Sequence, residues 1–155
     1  MYRIVDATAT QPEVVALIAA LDCYQTALYP AESNHLVDLA SFPAERVILH
    51  KIVYQQDAVG CGAVLLNQDG NAEMKRVFID PTHRGKKLGE LLIATLEQAA
   101  SEKGCHTLRL ETGIKQHAAV KLYQRCGYQI CEAFAPYEPD PLSVYMQKAL
   151  REEVA

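Results

Sequence analysis

The chain has 155 residues, half of them hydrophobic, and a formal net charge of −4, which suits one sizeable core and predicts a single domain over residues 1–155. An acidic balance argues against nucleic acid as a partner. Five cysteines, an odd number scattered through regular segments, make no disulfide framework, and neither a leader-like start nor an apolar run of the roughly 20 residues that cross a bilayer is seen, so a cytoplasmic protein with no membrane partner is expected.

Tyr2–Asp6 alternates as a strand does. Thr10-Gln11-Pro12-Glu13 reads as a capping box with a proline in the first turn, opening a helix that buries Val14, Leu17, Ile18 and Leu21. Pro30 breaks the helical pattern, and Ala31-Glu32-Ser33-Asn34-His35 is rich in helix starters, which predicts a short second helix carrying Leu36 and Leu39 inward. Residues 46–55, 58–67 and 73–79 are β-rich runs separated by turns at Gln56-Asp57 and Gln68-Asp69-Gly70-Asn71, and they predict an antiparallel meander. Strict alternation would put Glu73, Lys75, Val77 and Ile79 on one face of the third strand, and Arg109 and Glu111 on one face of a later one.

Asp80-Pro81-Thr82-His83 ends that third strand, after which Leu88, Leu91, Leu92, Thr95, Leu96 and Ala99 recur at helical spacing until Lys103-Gly104 supplies a stop. Residues 107–112 read as a strand with Leu108 and Leu110 on one face, 118–125 as a helix closed by Gly127, and 128–134 as another strand. A loop with three prolines leads to the last strand, 142–148. The strand, helix and strand between Glu73 and Thr112 form a βαβ unit, so its two strands should be parallel neighbours in an otherwise mostly antiparallel sheet.

Arg84-Gly85-Lys86-Lys87-Leu88-Gly89 lies where the strand enters the long helix. A helix N-terminus offers unpaired amides and a partial positive charge, glycines let an anion approach the main chain, and Arg84, Lys86 and Lys87 add attraction. Neither the phosphate-loop nor the dinucleotide fingerprint is present, and the spacing alone also fits a solvated helix start. For metal, Cys105-His106 and Cys126 to Cys131 lack paired ligand spacing, so none is expected.

Set in EMKRVFIDPTHRGKKLGELLIATLEQAA and followed by LRLETGIKQHAAVKLYQRCGY, the turn makes the chain resemble the GNAT superfamily of N-acetyltransferases over essentially its whole length. The family's Arg/Gln-x-x-Gly-x-Gly/Ala motif appears as Arg84, Lys87 in place of the middle glycine, and Gly89. Its second signature appears as Gln116 in place of the usual Asn, then Ala119, Leu122, Tyr123, Gly127 and Tyr128. TALYPAESNHLVDLASF and APYEPDPLSVYMQK are similar to a bacterial branch of candidate acetyltransferases.

The resemblance implies an α/β (α+β) GNAT fold: a mixed, mostly antiparallel, seven-stranded twisted sheet flanked by about four helices, with a central parallel βαβ unit. It implies acetyl-CoA as co-substrate and direct attack on the thioester by a primary amine of a small molecule or peptide, in a protein that could form a homodimer. Backbone groups of Val77, Phe78 and Ile79 would pair with the pantetheine arm. Arg84, Gly85, Lys86, Lys87, Leu88 and Gly89 would hold the pyrophosphate, with Gln116 touching the cofactor arm. Tyr123 would sit near the sulfur as general acid, though its spacing also fits a packed helix tyrosine. Glu73 and Glu111 are rival bases, and either could instead be an ordinary salt-bridged carboxylate. The acceptor pocket would draw on Tyr29, Glu32, Ser33, His35 and Tyr137, with Asp140 and Ser143 beside them. A non-catalytic acyl-CoA-binding module with a sensing or interaction role is the other reading.

Overall fold

A computed structural model describes residues 1–33 and 37–150. Seven strands, β1 (Tyr2–Asp6), β2 (Val47–Tyr54), β3 (Asp57–Leu66), β4 (Asn71–Ile79), β5 (Thr107–Gly113), β6 (Gln129–Cys131) and β7 (Ser143–Ala149), form one sheet in the order β1-β2-β3-β4-β5-β7-β6. Only the β4–β5 pair is parallel within it. Among the described residues, three α-helices, α1 (Pro12–Leu28), α2 (Leu88–Glu102) and α3 (His117–Arg125), cover the sheet. None of them is long and apolar enough to cross a membrane.

Pro12 starts α1, and Val14, Leu17 and Leu21, three or four residues apart, are its buried stripe. The expected capping box does not form: Gln11 is the N-cap and makes no side-chain cap, and Glu13 pairs instead with Lys51 of β2 at 2.8 Å. Of the expected second helix, residues 34–36 lie outside the described residues, and the described parts form single 3-10 turns at Ala31–Ser33 and Leu39–Ser41. The second is capped by Asp38 and turns Leu39 into the core, whereas Leu36 lies outside the described residues. β6 is shorter than expected, ending at Cys131; residues 132–142 leave the sheet, and Tyr137 and Leu142 among them line a cleft.

The two faces of the sheet bury different sets. Ile52, Val64, Met74, Leu108 and Leu110 pack with Leu92, Ile93 and Leu96 of α2 and with Tyr123 of α3. Leu49 and Ala63 pack with Val14 of α1 and with Leu39 on the other face.

Alternation along β4 fails at one place, and the failure shapes the site. Between Cys61↔Phe78 and Ala63↔Lys75, β3 advances two residues while β4 advances three. The extra residue is Arg76, with φ 58°, a β-bulge. Lys75 and Arg76 therefore both point to the α1 side, Lys75 to Glu73 and Arg76 to Asp22 of α1 at 3.0 Å. Val77 and Ile79 swing to the α2 side and join its core. The expected grouping of Glu73 and Lys75 with Val77 and Ile79 is thus corrected.

β4 and β5 pair only from Asn71↔Thr107 to Met74↔Leu110. Both strands continue, β4 to Ile79 and β5 to Gly113, so they part in mid-sheet.

Candidate active site

The cleft opens where β4 and β5 part. Its walls are Glu73, Lys75 and Val77 of β4, Glu111 and Thr112 of β5, Gln116, Ala119 and Tyr123 of α3, Tyr29 and Ser33 after α1, and Tyr137. Two side chains anchor the lower wall. The Tyr29 hydroxyl accepts from the Lys115 amide at 3.0 Å, and the Lys115 ammonium donates to the Leu28 carbonyl at 3.2 Å, tying the end of α1 to the loop before α3. Gln116, the N-cap of α3, accepts through Oε1 from the Gly113 amide at 3.0 Å and the Thr112 hydroxyl at 3.3 Å.

The two candidate bases sit in different surroundings. Glu73 is 6 % exposed and its Oε2 takes the Lys75 ammonium at 2.9 Å and the Tyr137 hydroxyl, while Lys75, 8 % exposed, also donates to the Tyr137 oxygen at 2.8 Å. One oxygen of its carboxylate is thus engaged in a buried ion pair with a hydrogen-bonded cap. Glu111 accepts one hydrogen bond, from the Ser143 hydroxyl at 2.8 Å. Burial pushes its carboxyl up to about 7, the Ser143 hydroxyl pulls against that, and the charges of Glu73 and Asp140 add to it while Lys75 offsets them. Tyr123 is buried with its ring edge-on to Tyr128 at 6.0 Å, and burial raises its phenol well above the ordinary value.

Beyond the cleft, α2 begins on a preformed turn. Asp80 accepts from the Thr82 amide at 2.9 Å and hydroxyl at 2.8 Å, bonds that hold its carboxyl below the usual range. Arg84 folds back, its Nε donating to the Ile79 carbonyl at 3.0 Å and its guanidinium lying over the Phe78 ring. Gly85 has φ 81° and open space where a β-carbon would stand, so backbone conformation, not crowding, calls for glycine there. Lys87 is the N-cap of α2 at φ 60°, in the left-handed region that its side chain disfavours. Arg84 to Lys87 are exposed, whereas the Leu88 side chain is in the core, leaving its amide as the group it can offer a ligand. Gly89 faces α3: a β-carbon would lie 2.8 Å from Leu122. Its smallness serves helix packing.

Of the residues singled out from the sequence, Tyr29, Ser33, Glu73, Val77, Glu111, Gln116, Tyr123 and Tyr137 meet in one cleft. Glu32 is exposed and outside its lining, His35 lies outside the described residues, and the Ile79 side chain is in the α2 core. Asp140 caps the Leu142 amide at 2.8 Å, and Ser143 is bound to Glu111. Sequence reasoning missed Lys75 as a buried cleft residue and the Asp22–Arg76 pair. A signal existed: two consecutive cations between Met74 and Val77 break strand alternation, as a bulge does.

Residues 14–128 match the acetyltransferase (GNAT) family. The chain is 41 % identical over 141 residues, 90 % of its length and 92 % of the relative's, to an IAA acetyltransferase of Azospirillum brasilense. It is 55 % identical to a solved structure of a candidate acyl-CoA N-acyltransferase from Klebsiella pneumoniae, with a TM-score of 0.89 and coverage of 97 % and 99 % of the two chains. A candidate streptothricin acetyltransferase of Bacillus anthracis, solved with acetyl coenzyme A, is 24 % identical with a TM-score of 0.63 over 74 % of this chain and 69 % of that one, a likeness of fold.

Proposed function

Because the chain belongs to the acetyltransferase (GNAT) family and is an N-acetyltransferase, we propose that it moves an acetyl group from acetyl-CoA to a primary amine of a small molecule or peptide by direct attack on the thioester. The observation that carries the reading is the parting of β4 from β5 at Met74 and Leu110, with the basic turn at the end of β4 and with Glu111 and Tyr123 on the walls. A GNAT structure with acetyl coenzyme A bound shares this fold, which supports the same co-substrate here.

In this mechanism, main-chain groups of Val77, Phe78 and Ile79 on the side of β4 that faces the gap bind the pantetheine arm as a short added strand, and the turn from Arg84 to Gly89 meets the pyrophosphate with amides and cations. An amine attacks only when uncharged. Glu111, its carboxyl pushed up to about 7 by burial, accepts the amine's proton, whereas Glu73 already holds Lys75 and Tyr137. The new C–N bond forms as the carbonyl oxygen takes up negative charge beside a β4 amide. The C–S bond then breaks, and Tyr123, kept protonated by burial, supplies a proton to the departing sulfur. Tyr29, Ser33 and Tyr137 shape the acceptor side of the cleft.

The test is thiol release from acetyl-CoA across amines, amino acids, polyamines and peptide N-termini. Release matched by acetylated amine is expected for at least one class. Silence across the whole panel would overturn the reading.

A further inference from the structure

The turn from Asp80 to Lys87 holds two left-handed residues, Gly85, which has the freedom for it, and Lys87, which a free chain rarely places there, while residues 84–87 are exposed. A loop of this kind stays in one conformation only if neighbours hold it, and every alternative it samples lowers its affinity for a ligand by the competent fraction. Asp80 and Arg84 tie the turn to β3 and to its own strand, through the Asp80 amide to the Val59 carbonyl at 2.8 Å and the Arg84 Nε to the Ile79 carbonyl. A further tie comes from the far edge of the sheet. The Tyr2 hydroxyl of β1 meets His83 Nδ1 at 2.9 Å. The Tyr2 ring lies 4.6 Å from that of Tyr54, its cross-strand partner at the end of β2. The His83 ring stands edge-on to Tyr2 at 5.7 Å and 5.4 Å from Tyr54. All three side chains are partly buried, so the contact excludes some water without being sealed in the core.

His83 directly precedes Arg84, the first residue of the basic turn. We propose that Tyr2, Tyr54 and His83 are positioning residues that clamp the turn in its phosphate-receiving conformation, so that β1 and β2, the two strands at one edge, set the affinity for the phosphates of coenzyme A. The clamp touches neither the acetyl group nor the acceptor. It acts by raising the fraction of molecules whose amides at Gly85 to Gly89 already point together. This rests on the reading of the turn as the coenzyme A phosphate site.

Calorimetric titration with coenzyme A, together with KM and kcat for acetyl-CoA, tests it on the full chain. Tyr2→Phe keeps the ring and removes the hydroxyl, His83→Phe keeps a ring and removes the polar atom, and His83→Asn keeps a polar atom near the place of Nδ1. Tyr2→Phe and His83→Phe should each weaken coenzyme A binding and raise KM for acetyl-CoA about 3- to 10-fold, the scale of one partly buried hydrogen bond. The kcat and the acceptor KM should stay within about twofold. His83→Asn should recover most of the loss, and the double variant should be no weaker than either single one. Hydrogen exchange in the unliganded protein gives a second readout: amides 85–89 should exchange faster in Tyr2→Phe at unchanged melting temperature. Wild-type affinity and wild-type exchange in Tyr2→Phe would overturn the clamp. Failure of the wild-type chain to bind coenzyme A would instead overturn the phosphate reading on which the clamp depends.

Discussion

Glu111 is held between opposing influences, and its neighbours set the pH at which it can take a proton. Burial lifts its carboxyl to about 7, and the Ser143 hydroxyl restrains that rise by stabilising the charged form. If Glu111 is the base, kcat/KM should climb with pH through about 7 on the acidic limb. Ser143→Ala should move that limb upward, and Glu111→Gln should abolish it with a loss of roughly 10²-fold or more, all read from pH–rate profiles. Tyr123→Phe should lower kcat about 10-fold or more with coenzyme A affinity unchanged, measured by stopped assay and calorimetry. At Lys87 the departure from the family's glycine was legible as a letter, but its meaning was conformational: the N-cap of α2 sits at φ 60°. Lys87→Gly should relieve that strain by up to about 1 kcal/mol in urea unfolding and flatten the salt dependence of coenzyme A binding. The rivalry between Glu73 and Glu111 was not legible, because it turns on Tyr137 and Ser143, partners brought in from distant segments.

Elements with a strong local period were readable. α2 carries Leu88, Leu92 and Leu96 at helical spacing and ends at Glu102 with Lys103 as its C-cap, at the expected stop, and β1 has the bounds its alternation gave. Elements whose ends depend on partners were not: β6 stops at Cys131, and the segment after Pro30 forms only single 3-10 turns among the described residues. The bulge at Arg76 was visible as two adjacent cations, yet strict alternation was the wrong rule to apply across it. The α2–α3 contact shows a similar split. Gly89 belongs to the motif by position, while its missing side chain is filled by Leu122 from the second signature. Gly89→Ala should therefore cost about 1–3 kcal/mol by overpacking. Adding Leu122→Ala should return part of that loss, a coupling that a double-mutant cycle in urea melts would read.

For the whole molecule, the raised carboxyl of Glu111 has a thermodynamic cost. Between the unfolded carboxylate range and about 7 the folded protein binds a proton that the unfolded chain has lost, so stability falls as pH rises through that window. Glu111→Gln should raise the melting temperature at pH 8 and leave it nearly unchanged at pH 4. The full shift would correspond to at most about 3 kcal/mol. The parallel βαβ unit at the centre of the sheet followed from the order of strand, helix and strand, but the insertion of β7 between β5 and β6 did not, since it is decided by pairing across the prolines of residues 136–141. The parting of β4 and β5 carries one more consequence. A sheet normally keeps its unpaired rims at its two ends, where charge and short strands discourage other chains from adding on. This one has a rim in its middle as well. Side chains of α3, Tyr29 and Tyr137 crowd that inner rim, leaving a slot that favours a thin linear arm over a polypeptide strand with its own side chains. A gap crowded in this way is a poor template for aggregation.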